Sequence, residues 1–112
     1  MLKITNNEIY LTRGDTMQVE LTLTNADGTA YEPAEGDEVI FRLRKNVNEG
    51  TVLIEKSIDT STMVLELAPE DTIPLSSGTY HYEVEIITSQ GHHYTVIEDT
   101  IFTIGRELED HG

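Results

Sequence analysis

Apolar and polar side chains take turns along most of this chain, and a period of two is the mark of a strand with one buried face. In Met17-Gln18-Val19-Glu20-Leu21-Thr22-Leu23 the odd positions are apolar and the even ones polar. Glu38 to Arg44 repeats the pattern with Val39, Phe41 and Leu43 inward. Met63, Leu65 and Leu67 alternate again, as do Tyr80, Tyr82, Val84 and Ile86. Tyr94 and Val96 share one parity, which Phe102 and Ile104 continue across Glu98-Asp99-Thr100, so a bend or bulge is expected at that polar interruption. No segment sustains a 3.6-residue period over three turns, and Pro69-Glu70-Asp71-Thr72 has room for one helical turn.

Turn chemistry separates the runs. Asn25-Ala26-Asp27-Gly28, Asn48-Glu49-Gly50 and Ser89-Gln90-Gly91 read as hairpin tips, with glycine free to take positive φ. Pro69, Pro74 and Gly78 bracket a longer connection. Seven or eight short strands at turn spacings of about ten residues predict an all-β, antiparallel β-sandwich. The 112 residues form one domain, 1–112, with 106–112 expected to fray. There is no cysteine and no tryptophan, so the core is expected to hold without a disulfide. The opening residues MLKITNNEIY lack the apolar run of a signal peptide, and no stretch approaches the roughly 20 apolar residues that span a bilayer.

The segment APEDTIPLSSGTYHYEVEI, from Ala68, carries the local pattern of an immunoglobulin E–F corner, an acidic loop followed by Gly-x-Tyr. Tyr80 is the expected corner tyrosine, with its hydroxyl returning to the loop main chain, and Gly78 and Gly14 are the expected bends that support it. Tyr82 stands where antibody-type domains have cysteine. Packing of Tyr82, Phe41, Leu21 and Leu65 is expected to replace the staple, and the Tyr82 hydroxyl then needs a partner or a place at the rim. The same topology puts Phe41 and Val84 on neighbouring strands. Arg42, Arg44 and Lys45 then face Glu83 and Glu85 in a ladder of opposite charges.

Few motifs carry chemistry. Arg13-Gly14-Asp15 reads as a bend between Ile9-Tyr10-Leu11 and the strand from Met17, not as an adhesion site. His92-His93 are adjacent strand residues that point to opposite faces and cannot readily chelate one metal. Glu70-Asp71 and Glu98-Asp99 lack the Asp-x-Asp-x-Asp-Gly spacing of a calcium loop and read as solvated loop acids. There is no nucleophile elbow, phosphate loop or His-Glu-x-x-His, so no catalytic residue, metal or cofactor is expected. With 21 acidic residues against 7 Lys and Arg, a formal net charge of −14 disfavours nucleic acid and anionic membranes as partners.

The order of motifs is Thr-Arg-Gly-Asp-Thr (12–16), Asp-Gly (27–28), Gly-Asp-x-Val-x-Phe-x-x-Arg (36–44), Pro-Glu-Asp-Thr (69–72), Gly-x-Tyr-x-Tyr (78–82) and Tyr-Thr-Val-Ile (94–97). Over residues 4–104 this resembles small immunoglobulin-like domains of phages and prophages of Gram-positive bacteria, in particular the N-terminal domain of baseplate upper proteins. The resemblance covers the module alone, beyond which baseplate upper proteins continue into a coiled coil or further domains. The resemblance implies a non-enzymatic virion component of tail, baseplate or neck. Such a component is made in the bacterial cytoplasm and engages other virion proteins or copies of itself. A bacterial carbohydrate- or surface-binding module of the same fold is the alternative. Alternation also places Ile40, Ile87 and Ile97 on the solvent side of adjoining strands, and an apolar partner patch rimmed by Arg42, Glu85 and His93 is expected there.

Overall fold

The computed structural model of the protein describes residues 1–25, 27–46 and 50–106. They form eight strands and one helical turn: β1 (Leu2–Thr5), β2 (Glu8–Thr12), β3 (Met17–Glu20), β4 (Glu38–Arg44), β5 (Ile54–Ile58), β6 (Val64–Leu67), α1 (Pro69–Thr72), β7 (Gly78–Ile87) and β8 (His93–Gly105). Six strands make one sheet in the order β1-β2-β8-β7-β4-β5, and β3 pairs with β6 in the other. This is the expected all-β sandwich. One pairing departs from the antiparallel expectation: β2 runs parallel to β8, with Ile9 opposite Phe102 and Leu11 opposite Ile104. The expected tip at Asn48-Glu49-Gly50 falls largely outside the described residues, as do Ala26 of the first turn and all of the expected tail but Arg106.

Alternation sets which side chains meet between the sheets. Phe41, Leu43, Val84 and Phe102 from the large sheet and Met17, Leu65 and Leu67 from the small one are fully buried. Phe41 and Tyr82 lie 5.4 Å apart between ring centroids, and Phe102 meets each of them edge-on at 6.2 Å. Tilted and edge-to-face rings are the favoured aromatic geometry. This triad occupies the place of the expected staple, with Phe102 an added member and Leu21 only partly buried against it. The Tyr82 hydroxyl donates to the Asn7 carbonyl, and burial pushes its pKa up to about 12.

Two hairpins were not evident from alternation. Asn6 and Asn7, both at positive φ, turn β1 back onto β2 with Thr5 opposite Glu8. A two-residue loop with both residues left-handed matches strand twist, and asparagine tolerates that region. β5 pairs with β4, although its middle residue, Lys56, sits opposite Phe41 on the core side. The lysine reaches out to Asp71 at 3.0 Å. Asp71 also accepts the Ala68 amide at 2.7 Å, so one carboxylate caps α1 and ties it to the large sheet.

β8 carries two register shifts against β7. Thr95 faces Glu85, Ile97 faces Val84 and Thr100 faces Tyr82, so β8 gains one residue on each side of Ile97. Asp99 takes a positive φ of 47° within the second. The expected interruption at 98–100 is therefore a pair of bulges, the first at Val96.

Candidate functional site

The corner and the Arg-Gly-Asp bend are one assembly. The Tyr80 hydroxyl donates to the Ser76 carbonyl at 2.6 Å, closing the loop that leads into β7. Gly78 takes a φ of 152° at the start of that strand, and an added Cβ there would sit 3.4 Å from Lys45 Nζ. Arg13 donates from Nε to the Leu75 carbonyl at 2.8 Å and from Nη2 to the Ile73 carbonyl. Gly14, at a φ of 85°, donates its amide at 2.8 Å to the hydroxyl of Thr72, which is fully buried. The Asp15 amide closes back on the Thr12 carbonyl at 3.0 Å. Arg13-Gly14 thus brackets the exit of α1 at the end of the sandwich where both connections cross between the sheets. Tyr80→Phe removes the one donor that reaches Ser76 and should lower stability by about 1–2 kcal/mol. Urea melts of the two proteins, compared at equal slope, check this.

The outer face of β5, β4 and β7 carries the charge ladder. Arg42 donates from Nε to Glu55 at 2.8 Å and from Nη1 to Glu85 at 2.8 Å, with Glu83 at 3.4 Å. Arg44 Nη1 lies 3.0 Å from Glu83. His93 Nδ1 is 3.0 Å from the other oxygen of Glu85. Lys45 does not join the ladder. It donates to the Thr79 carbonyl and rests over the Tyr80 ring at 4.5 Å, a cation–π contact at the corner. The hydrogen bond from Arg42 holds the Glu85 carboxyl below its ordinary value of 4.5, and the bond from Glu85 in turn raises the Arg42 pKa. A depressed folded pKa contributes stability at pH above 4.5 and loses it as pH falls through the lowered value. Wild-type stability should therefore drop in mild acid, and Glu85→Gln should flatten part of that drop. Urea midpoints at pH 7 and pH 3 for both proteins measure it.

The three isoleucines do not form one patch. Ile40 does face outward, between Ser57 and Glu85 on the flanking strands, but only 9% of it is exposed. On its own strand it is flanked on that face by Glu38 and Arg42. Ile87, also outward, is half-buried opposite Glu38 and His93. Ile97 packs against the core, because the bulge at Val96 turns it to the side of Val84. The exposed apolar side chains lie elsewhere, with Leu2, Ile4 and Tyr94 the main ones on the strands.

A cavity of about 200 Å³ opens where the bulges bend β8, lined by Arg44, His81, Glu83, Thr95, Glu98 and Asp99. His81 Nδ1 lies 2.9 Å from Asp99 Oδ1, a close contact without hydrogen-bond alignment. The second expected histidine, His92, meets the Tyr94 ring edge-on at 6.3 Å, away from His93. Among the described residues no group of three or more His, Asp and Glu side chains converges on a metal-sized site. Glu70 and Asp71 lie in α1, where Asp71 serves as the cap. No helix among the described residues is long and apolar enough to cross a membrane. No protein-family model matches the chain, and no curated protein and no solved structure matches it.

Proposed function

We propose that this protein is a non-enzymatic structural or protein-interaction module of a phage or prophage particle, a tail, baseplate or neck component. The motif order along residues 4–104 supports the source. The observation that carries an assembly role is a mismatch between the two sheets. β3 and β6 are four residues long, whereas β7 and β8 run for 10 and 13. At about 3.3 Å per residue, the small sheet spans a third of the length of the large one. Side chains on the core side of the large sheet are left uncovered at its margins. Leu2, opposite Leu11, is 37% exposed, Ile4, opposite Ile9, is 45% exposed, and Tyr94, opposite Ile86, is 55% exposed. Core-side apolar groups without a covering layer suit a module completed by a protein neighbour.

Mass spectrometry of particles purified from the source culture tests the reading. The chain should be found in stoichiometric amount with other virion proteins. Its absence from particles, with the protein abundant in the cell lysate, would overturn the proposal. The exposed Tyr94 ring favours the carbohydrate-binding alternative, and a glycan array separates the two: binding lost on Tyr94→Ala would establish the alternative.

A further inference from the structure

β1 is the outermost strand of the large sheet, and its far side has no neighbour among the described residues. Thr5 and Glu8 close a two-residue hairpin, and the Thr12 amide donates to the Met1 carbonyl at 2.9 Å. Antiparallel bonding alternates, so Met1, Lys3 and Thr5 bond to β2, and the main-chain groups of Leu2 and Ile4 point outward. The same two residues place their side chains on the core side, where the small sheet does not reach them. Lys3 and Glu8 are on the other side of the sheet. Neither makes an ion pair with a described residue. A cavity of about 170 Å³ lies between them, lined also by Thr5, Tyr10 and Thr103.

We infer that β1 is a self-association edge whose occupant is β1 of a second copy. The two strands run antiparallel about a two-fold axis normal to the sheet, which keeps both cores on one side. Two registers set Ile4 against an apolar residue of the second copy while preserving the faces and using the outward groups. One sets Leu2 against Ile4 of the second copy, and it also forces Lys3 against Lys3 at ~4.5 Å, where like charges repel. The other sets Ile4 against Ile4 of the second copy. The two isoleucines exchange a pair of main-chain hydrogen bonds and cover each other on the core side. Lys3 then lies opposite Thr5 of the second copy, over the cavity beside Glu8, and the reciprocal contact forms by symmetry. The charges select this second register. A four-residue strand buries far less than the roughly 1,200 Å² of a stable interface. The pairing is therefore a weak contact, effective where copies are held side by side.

The inference rests on the reading of the chain as an assembly module, and the two fail separately. A particle-borne chain that never self-associates sinks only the edge, and a self-associating chain absent from particles sinks only the virion role. Sedimentation equilibrium of the purified protein up to roughly millimolar concentration is the test. The weight-average mass should rise above that of the monomer with concentration. Lys3→Glu and Glu8→Lys should each abolish the rise, although they move the net charge in opposite directions, and the double change should restore it. Ile4→Pro, which removes an outward amide and no bond to β2, should also abolish it. Circular dichroism confirms that each variant is folded. A wild-type protein that stays monomeric throughout, or association that survives both single charge changes, would overturn the inference.

Discussion

Phe102→Ala should destabilise the domain by about 3–5 kcal/mol, the usual cost of deleting a buried ring. Phe102 is fully buried, faces both Ile9 across the parallel pair and Tyr80 across the antiparallel one, and meets two further rings edge-on. Its neighbours belong to β strands held at both margins, so the space cannot close without moving the sheet. A domain of this size has a total stability of about 5–15 kcal/mol, and the variant should sit near its unfolding threshold at 37 °C. The control is one residue away. Ile101, opposite His81, is on the outer face and only half-buried, and Ile101→Ala should cost less than about 1.5 kcal/mol. Denaturant titrations of the two variants measure the difference. A reversed order would place β8 one residue out of register.

Arg13→Ala should cost about 2–3 kcal/mol. Hydrogen bonds from a charged donor contribute about 1.5–3 kcal/mol each, reduced here by the exposure of the Ile73 end. Arg13→Lys should recover less than half, because an ammonium on a flexible stem does not span two carbonyls as a planar fork does. The pair of variants asks whether the arginine of the tripeptide is a bracket or a ligand. Loss of stability in both, tracked by thermal melts, is the expected result. Unchanged melts would place its importance outside the fold.

The parts of the fold that could be read from the sequence are those where alternation is unbroken. β4 and β7 were legible because Val39-Phe41-Leu43 and Tyr80-Tyr82-Val84-Ile86 keep one parity from end to end. The corner was legible because glycine, tyrosine and an acidic loop do chemically specific work there. β5 was hidden by Lys56, a charged residue on the core side whose partner, Asp71, is distant in sequence. The β1–β2 hairpin was hidden because Asn6-Asn7 lacks the glycine that usually marks such a turn. Ile97 turns inward, away from the expected partner surface, for a related reason. Alternation carried through Val96 holds only for a regular strand, and a period of two cannot register a residue that the ladder skips. What occupies an exposed edge leaves still less trace, since exposure follows from the length of the opposite sheet and not from the residues on the edge itself.

The double bulge in β8 behaves like a pair of compensating frameshifts. The residue gained at Val96 inverts the sidedness of the strand, and the one gained between Ile97 and Thr100 restores it, so Tyr94 and Phe102 again share a face. Only the short stretch around Ile97 is translated in the altered frame. A single deletion there would put the whole distal hairpin out of frame, turning His93 and Thr95 toward the core side and Tyr94 away from it. Removing one residue from each bulge would leave both flanks reading as before. Length variation in this strand is thus constrained to occur in twos, and a second-site suppressor of a one-residue deletion should map to the other bulge.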